Sequence, residues 1–412
     1  MNIVSICSVY PNPLEPGLGV FVRSRILHMA KSVQVSVVAP VPLIDYSSPR
    51  GDWFQGRKIT RDRNDDGIAV LHPWWIFPPG GTPLNVLCLA LQLIRPLTKL
   101  RAAFHFDLID AHFGYPEGVT AAILARIFGC PFTITLRGSE QRFYTYRYRR
   151  LCLRWALRRA NAVIAVSNEL RRFAIKCGVD PARAFTVPNG IDALTFYPRD
   201  RAACRSKFGM RPERVVVACA GELIEAKGHH LVIESIRDLV AEGHAVDLYI
   251  AGGLARGGTH FHRELQRRIA GWGLADHVHL TGWLDRDRLA ELLSAADLFC
   301  LASFSEGWPN VINEALACGT PVVSTAVGAA ADMLPSSKYG LLVPPKSQPE
   351  LTNAIRSAIL TTWNRAEIAA WGQTRSWDDV AKEVITLIQP IVEPPQRAVP
   401  ASHLRSSTGN EV

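Results

Sequence analysis

Two glutamates with seven residues between them, Glu306 and Glu314, could bind a ligand that carries hydroxyl groups. The first follows an apolar run over 297–302, which predicts a buried parallel strand. The second lies on a helix predicted from about Asn310 to Ala317, which Pro309 opens. Ligands bind at the carboxyl rim of open parallel sheets, and the N–H groups that begin a helix bind phosphate. The alternative is a capping loop with a solvated glutamate, but the unusual Glu-Gly-Trp-Pro sequence favours the ligand site.

A lysine in another predicted rim loop could neutralise a phosphate. Lys227 lies between a strand predicted at Val215–Ala220 and a helix predicted from His229, and Gly221 provides the turn. The loop is not a P-loop, because no serine or threonine follows the lysine to bind magnesium. A second glycine turn, which ends in Arg256, could form the wall of a base or ribose site.

Three polar groups follow predicted strands in the first half. His112 follows the strand Leu108–Ala111, and we expect it to face a ligand cleft beside a glycine turn. Arg137 follows the next strand and could pair with an anionic group. Glu140 either joins this site or is the first-turn acid of the next helix.

Gly17 and Gly19 lie in the first turn of the chain, between a strand and an amphipathic helix. Both would allow a ligand to approach the backbone closely. The turn is not a dinucleotide fingerprint, because Val22 stands where the third glycine would be. A phosphate or substrate loop and a plain turn both remain open.

Positive charge is concentrated in the first half. Residues 1–195 hold 24 Lys+Arg and 13 Asp+Glu (+11), and residues 196–412 hold 22 and 24 (−2), which gives the total of +9. The helix predicted over Arg142–Arg159 has seven arginines, no acid and several aromatic residues. It could bind an anionic membrane surface or be a solvated basic face. No nucleic-acid-binding module is recognisable, so we expect no nucleic acid partner.

The sequence predicts no metal site, disulfide framework or membrane span. Asp285 and Asp287 have the spacing of some metal-binding sugar-nucleotide enzymes, but their place at a helix start favours capping. The nine cysteines include no Cys-x-x-Cys pair, which indicates reduced thiols in a cytosolic setting. The N-terminus lacks a signal-peptide pattern, and the apolar run Leu84–Ile94 is too short to cross a bilayer.

The elements that must position these groups are parallel α/β units, in which short apolar runs alternate with helical patterns. A chain of 412 residues is too long for one core, so two domains are expected. A crossing is predicted at Val187–Asp192, and a helical pattern runs from Ala366 to Ile391. We expect an irregular loop between Ala39 and Ala69 and a disordered tail from Pro394.

Together these residues resemble the retaining glycosyltransferases of family 4, which have the GT-B fold. The resemblance spans nearly the whole chain and is most specific over Glu306 to Glu314 with the Ala317–Val323 segment. Its other parts are Gly17 and Gly19, Ala111-His112-Phe113 with Pro116-Glu117-Gly118, Val166-Ser167, Pro188–Asp192, Gly221 with Lys227-Gly228, and Thr281-Gly282-Trp283.

The resemblance implies an α/β fold in which two Rossmann-like domains face each other across a cleft. An acceptor-binding domain would span residues 1–190 and a nucleotide-sugar-binding domain residues 191–375. A C-terminal helix over 376–392 would pack back on the N-terminal domain, and 393–412 would be a disordered tail.

The resemblance also implies roles for the candidate site residues. Glu314 would bind ribose hydroxyls, Glu306 the hydroxyls of the transferred sugar, and Lys227 the leaving diphosphate. His112 would face the sugar. The remaining donor-binding candidates are Gly17, Gly19, Gly221, Gly307, Trp308, Asn310, Val311, Arg256 and Arg137. The reaction would retain the anomeric configuration by front-face attack, with no metal and no cofactor.

One position departs from the family pattern. The family often has an arginine directly after the glycine of the Lys227 turn, whereas this chain has Glu222. A carboxylate there would repel the diphosphate if it pointed inward. Either Glu222 turns away and Arg256 or Arg137 compensates, or donor turnover is weak.

We therefore expect a retaining glycosyltransferase that moves a sugar from a UDP- or GDP-sugar to a lipid-linked or polysaccharide acceptor. The expected context is exopolysaccharide, lipopolysaccharide or glycolipid synthesis in the cytoplasm, peripheral on the inner face of the plasma membrane. Two alternatives remain open: a nucleotide-sugar epimerase of the same fold and a non-catalytic donor-binding subunit.

Overall fold

The computed structural model describes residues 1–44, 53–78, 84–254 and 259–393, and their main sheets are built from parallel α/β units. Arg256 and residues 394–412 of the expected tail lie outside these ranges. The predicted fold class is confirmed, because two sheets of mainly parallel strands carry helices on their faces.

The first sheet has eight strands in the order β10-β9-β8-β7-β1-β2-β5-β4, and its pairs are parallel except for the β4–β5 hairpin. A short β3–β6 pair lies apart from it. The ten strands are β1 (Asn2–Ile6), β2 (Gln34–Val38), β3 (Val41–Pro42), β4 (Asp62–Asp65), β5 (Ile68–Leu71), β6 (Trp74–Trp75), β7 (Leu108–His112), β8 (Phe132–Leu136), β9 (Ala162–Ala165) and β10 (Ala184–Thr186). The helices of this half are α1 (Val20–Met29), α2 (Leu84–Ala103), α3 (Val119–Phe128), α4 (Ser139–Tyr144), α5 (Arg147–Arg159) and α6 (Asn168–Lys176).

The second sheet has six parallel strands in the order β13-β12-β11-β14-β15-β16. They are β11 (Val215–Ala220), β12 (Val246–Ala251), β13 (Val278–Gly282), β14 (Leu298–Leu301), β15 (Val322–Thr325) and β16 (Gly340–Val343). The helices of this half are α7 (Arg201–Lys207), α8 (His229–Ala241), α9 (Thr259–Gly271), α10 (Arg286–Ala295), α11 (Asn310–Ala317), α12 (Ala330–Met333), α13 (Gln348–Leu360), α14 (Arg365–Gly372) and α15 (Trp377–Val392).

The last helix, α15, packs back onto the N-terminal half. Its residues Trp377, Val380 and Val384 share a buried cluster with Ile3 of β1 and Leu108 of β7. A β-bridge between residues 191 and 376 brings the two crossing segments together. The domain boundaries at residues 190 and 375 remain predictions, but both lie at this double crossing.

Several predicted elements differ from the observed ones. The prediction of a single helix over Arg142–Arg159 is wrong. The helix α4 ends at Tyr144 and α5 begins at Arg147, and the backbone of Tyr146 between them is extended (φ −86°, ψ 121°). This break lets Phe143 pack against Tyr115, with ring centroids 5.5 Å apart. The helical pattern after Ala366 is also interrupted, because Ser376 caps a new helix through a capping box.

The sequence also missed some short elements. The stretch between Ala39 and Ala69 was expected to be irregular, but its described part contains β3 and β4. The strand β16 and the helices α7 and α12 were not predicted. Each has seven residues or fewer, and hydrophobic periodicity is a poor guide over such short lengths.

Candidate active site

A cavity of about 400 Å³ lies between the carboxyl rims of the two sheets. Its N-terminal wall includes Phe21, Arg137 and Asn189, and its C-terminal wall includes Gly221, Lys227, Glu306, Gly307, Trp308, Asn310, Val311 and Glu314. A second cavity of about 720 Å³ shares part of this wall and extends to Gly17, Gly19, Glu222 and Trp283. The structure therefore places most of the predicted site residues around one continuous cleft.

Lys227 and Glu306 form an ion pair across the C-terminal wall, with Lys227 Nζ 2.5 Å from Glu306 Oε1. Lys227 ends a short 3₁₀ turn after β11, and Glu306 lies in the loop between β14 and α11. Both side chains remain partly exposed, at 27% and 14%. The pair is therefore accessible to a ligand that enters the cavity.

The helix α11 begins at Asn310 and ends at Ala317, as the sequence predicts. We call residues 306–309, which lead into it, the α11 loop. Glu314 lies on the same cavity wall, and burial raises its pKa to about 7 while Arg286 opposes the shift. A carboxyl group with a pKa near 7 can bind hydroxyl groups, and the N–H groups at the start of α11 can bind phosphate, so the wall suits a ligand that carries both.

His112 does not face the cleft, so that prediction is wrong for this structure. Its ring is fully buried, with Nδ1 2.9 Å from the Arg137 guanidinium and Nε2 3.3 Å from Asp110 Oδ2. Burial lowers the pKa of His112 to about 4, and Asp110 only partly offsets this. Because Arg137 can only donate, Nδ1 of the neutral ring accepts and Nε2 carries the hydrogen. Its catalytic role remains a prediction.

Arg25, Asp110, His112 and Arg137 form what we call the N-terminal network. Arg25 lies 3.2 Å from Asp110 Oδ2 and donates to Thr135 at 2.7 Å. Burial alone would raise the pKa of Asp110, but Arg25 and His112 hold it well below its usual range. Burial also lowers the pKa of Arg137 to about 9. Within this network, only Arg137 lines the cavity of about 400 Å³.

The Glu140 side chain binds backbone N–H groups and does not line the cavity of about 400 Å³. Its buried carboxylate accepts hydrogen bonds from the N–H groups of Gly114, Arg137 and Gly138, at 2.7–3.4 Å. The alternative that it is a first-turn acid of α4 is therefore the correct one.

Gly17 and Gly19, in the first turn, are required to be glycine for different structural reasons. Gly19 has φ +66°, and a Cβ there would lie 2.0 Å from the carbonyl oxygen of Val9. A Cβ at Gly17 would lie 3.1 Å from the indole nitrogen of Trp283, which belongs to the other half of the chain. Gly17 therefore marks a close approach across the cleft, and both glycines line the larger cavity.

Glu222 is exposed and lines only the larger cavity, not the one that contains Lys227. Arg256 lies outside the described residues, so a compensating role for it remains untested. Arg137 lines the same cavity as Lys227 and is thus the described arginine in position to add a second cation.

Asp285 caps α10 by accepting from the N–H of Arg288 at 2.8 Å, which confirms the capping prediction. Asp287 pairs with Arg199 at 2.9 Å. Among the residues that the structure describes, no three His, Cys, Asp or Glu side chains are grouped as metal ligands would be. Metal independence remains a prediction.

No individual role was predicted for four residues at or behind the cleft: Arg25, Asp110, Asn189 and Trp283. Asn189 entered only within the crossing segment and the Pro188–Asp192 part of the family resemblance, yet it is buried and hydrogen-bonded to both halves of the molecule. A polar residue between a proline and a glycine in a buried crossing is the signal that could have identified it.

No helix in the described ranges combines the length and apolarity needed to cross a bilayer.

Two sheets of parallel α/β units with a polar cleft between their carboxyl rims define the GT-B class. Family comparisons match Glycosyltransferase Family 4 over residues 17–193 and Glycosyl transferases group 1 over residues 200–375. The chain belongs to this family of glycosyltransferases.

Named relatives agree with this assignment. The Bacillus subtilis protein named for teichuronic acid biosynthesis, glycosyltransferase TuaC, is 28% identical over 379 residues, which are 86% of this chain and 88% of TuaC. A D-inositol 3-phosphate glycosyltransferase of Mycobacteroides abscessus is 36% identical over 193 residues, which are 47% of this chain and 43% of that protein.

Solved structures show the same fold at low sequence identity. Sucrose-phosphate synthase from Thermosynechococcus elongatus has a TM-score of 0.78 at 19% identity and covers 95% of this chain and 100% of its own. Anabaena HepE, solved in complex with UDP, has a TM-score of 0.71 at 23% identity, with coverages of 95% and 99%.

Proposed function

We propose that this glycosyltransferase moves a sugar from a UDP- or GDP-sugar to a lipid-linked or polysaccharide acceptor, with retention of configuration and without a metal. The observation that carries the proposal is the Lys227–Glu306 ion pair beside the start of α11. An entering diphosphate offers Lys227 a partner of higher charge. Glu306 is then free to accept hydrogen bonds from the sugar hydroxyls.

The proposed transfer breaks the bond between C1 of the sugar and the diphosphate oxygen. The electron pair leaves on that oxygen, where Lys227 and the first N–H groups of α11 stabilise the charge. An acceptor hydroxyl forms the new C1–O bond on the same face, and its proton passes to the departing diphosphate oxygen. Lys227 and Arg137 supply the positive charge that a metal ion supplies in other transferases.

The ribose and base are proposed to lie on the C-terminal side of the cleft. Glu314 lies on the C-terminal wall of the cavity, where its carboxylate can accept from ribose hydroxyls. UDP is the first nucleotide to test, because HepE was solved with it, and GDP is the second. Nothing in this arrangement requires a cofactor.

We propose that the outer face of the N-terminal half rests on an anionic membrane at the cytoplasmic side, where a lipid-linked acceptor would lie. The basic helix α5 exposes Leu151 at 66%, and α2 exposes Leu87 at 48% and Leu91 at 68%. The helix α3 packs against both α2 and α5, and we propose on this ground that these side chains share one face. Exposed leucines together with the arginines of α5 suit the headgroup boundary of an anionic bilayer.

Flotation with liposomes tests this membrane contact. Wild-type protein is expected to float with phosphatidylglycerol vesicles and not with phosphatidylcholine vesicles, and the double variant Leu91→Glu/Leu151→Glu is expected to stay at the bottom. Leu360→Glu is the matched control, because Leu360 is 73% exposed on α13 in the other half. Equal flotation of the double variant would exclude this face.

The geometry gives no specific support to the epimerase or to the non-catalytic subunit. A non-catalytic subunit would be favoured if Glu222 repelled the diphosphate, but its exposed side chain does not line the cavity around Lys227. An epimerase would convert its donor without an acceptor, and no described feature favours this reaction over transfer.

A panel of nucleotide-sugars tests the proposed function. UDP- or GDP-sugars are expected to raise the unfolding temperature, since ligands stabilise the folded state by mass action. The best donor is then incubated with and without lipid-linked acceptors, and Glu306→Gln is expected to lose transfer. Donor conversion without acceptor would show an epimerase, and binding without turnover in every acceptor mixture would show a non-catalytic subunit.

A further inference from the structure

The two halves of the cleft touch at a pair of glycines. Gly138 lies between β8 and α4, and Gly307 lies in the α11 loop. A Cβ at Gly138 would be 2.7 Å from Gly307 Cα, and a Cβ at Gly307 would be 1.9 Å from the carbonyl oxygen of Arg137. No residue with a side chain fits at either position, so the backbones are in direct contact across the cleft.

A chain of hydrogen bonds runs beside this contact. The Arg137 guanidinium contacts His112 Nδ1 at 2.9 Å and donates to Asn189 Oδ1 at 3.3 Å. Asn189 Nδ2 in turn donates to Asn310 Oδ1, at the start of α11, at 2.9 Å. Asn189 is only 4% exposed, so both polar atoms of its amide connect the buried N-terminal network to Asn310, the residue that directly follows the α11 loop.

The neighbouring residue of the α11 loop reinforces the same junction. Trp308 packs against the main cores of both halves of the molecule. Gly307 is held from within the C-terminal half, because its carbonyl oxygen accepts from the N–H of Ala329 at 3.1 Å. The α11 loop is therefore fixed on both sides, and its position relative to the N-terminal half depends on Asn189 and Gly138.

We infer that Asn189 is a positioning residue, and that with the Gly138–Gly307 contact it sets the α11 loop at a fixed distance from the N-terminal half. The inference rests on the proposed function, in which Glu306 and Lys227 bind the donor and the N-terminal half binds the acceptor. Placement of the two substrates then depends on this junction, whereas binding of the nucleotide alone depends mainly on the C-terminal wall, to which Arg137 adds one cation.

The isosteric variant Asn189→Asp separates the two hydrogen bonds. Its carboxylate still accepts from Arg137, but it cannot donate to Asn310. We expect the transfer kcat to fall roughly tenfold, the loss of about one hydrogen bond in the transition state. The dissociation constant for UDP or GDP, measured by calorimetry, is expected to stay within about twofold, and the unfolding temperature near that of the wild type. The transfer kcat of Asn189→Ala, which loses both hydrogen bonds, is expected to fall further.

Gly138→Ala tests the backbone contact, because its Cβ forces the two halves apart. We expect transfer to fall by about 10²-fold, as a displacement of about 1 Å can cost. The radius of gyration from small-angle scattering, with and without UDP, is expected to exceed that of the wild type. Gly67→Ala is the matched control, because Gly67 has φ +90° and no heavy atom within 4 Å of its Cβ position. It is likewise a glycine with positive φ, but it does not take part in the contact between the two halves.

The outcomes separate the inference from the proposed function. Wild-type transfer rates in both Asn189→Asp and Gly138→Ala, or nucleotide binding that falls in parallel with transfer, would overturn the positioning role. If the wild-type protein neither binds nor transfers from any nucleotide-sugar, the proposed function fails. Scattering still decides the junction in that case, because an unchanged radius of gyration in Gly138→Ala overturns the inference without any substrate.

Discussion

The two walls of the cleft hold their charges in opposite ways. In the N-terminal network, Arg25 and Asp110 are 3% and 2% exposed and satisfy each other inside the protein. On the C-terminal wall, Lys227 and Glu306 are partly exposed and pair with each other at the cavity surface. The first pair has no access to a ligand, whereas the second can exchange its partner for one.

This difference separates rigidity from binding. A buried charge that loses its partner destabilises the fold strongly, whereas an exposed pair contributes little to stability. Substitutions in the N-terminal network are therefore expected to affect folding, and substitutions on the C-terminal wall are expected to affect activity.

Asp110→Ala is expected to lower the free energy of unfolding by about 3–5 kcal/mol, because it leaves Arg25 charged and buried without its carboxylate. Denaturant unfolding followed by circular dichroism measures this change. Asp378→Ala is the matched control, since Asp378 pairs with Lys31 where both side chains are more than half exposed. Its expected cost is below about 1 kcal/mol. Equal effects of the two variants would contradict the stabilising role of the network.

Lys227→Ala is expected to lower transfer by about 10²- to 10³-fold, because the leaving diphosphate loses a cation that lines its proposed site. The unfolding temperature is expected to change little, since the ion pair is partly exposed. Steady-state rates with the best donor measure the first effect and thermal unfolding the second.

Lys338→Ala controls for the loss of any lysine in an ion pair, because Lys338 pairs with Glu367 at 3.0 Å and is 67% exposed. It is expected to keep wild-type transfer. If Lys227→Ala also kept it, the assignment of the diphosphate site would be wrong.

The C-terminal wall could be predicted from the sequence to a large extent because its signals are local. Pro309 and Gly319 punctuate a short apolar pattern, and α11 begins and ends where this pattern predicts. The rim rule for parallel sheets then places Lys227 near Glu306 although 79 residues separate them.

The N-terminal network could not be predicted in the same way. Burial of His112 depends on Asp110 and on Arg25, which is 85 residues from Asp110 in the sequence. No local pattern in α1 indicates that Arg25 points inward. The break at Tyr146 could not be predicted for a related reason. Neither proline nor glycine marks it in the sequence, and it accompanies the packing of Phe143 against a distant residue, Tyr115.

Two glutamates with similar pKa values extend the comparison. Burial raises the pKa of Glu117, on the N-terminal side, to about 7, and hydrogen bonding from Ser8 only partly offsets the shift. The folded state therefore retains a proton that the unfolded chain loses near pH 4.5. Stability from this group is full below pH 4.5, declines as pH rises toward 7 and has been lost above it.

Glu117→Gln is expected to reduce the decline in unfolding free energy between pH 5 and pH 8 by about 1–3 kcal/mol. Denaturant titrations at several pH values measure it. A variant with the wild-type slope would show that Glu117 does not hold this proton.

Glu314 has a pKa of about 7 on the opposite wall, where a ligand can reach it. Its carboxylate is mainly protonated at pH 6 and mainly ionised at pH 8. If the ionised form accepts from ribose hydroxyls, donor affinity should rise by roughly five- to tenfold between these pH values. Glu314→Gln is expected to bind weakly and without this dependence, as calorimetry with the nucleotide-sugar would show. A pH dependence that survives in Glu314→Gln would belong to another group and would contradict the ribose assignment. If the pH dependence is absent in this variant, protonation of Glu314 controls ligand binding, whereas protonation of Glu117 controls stability.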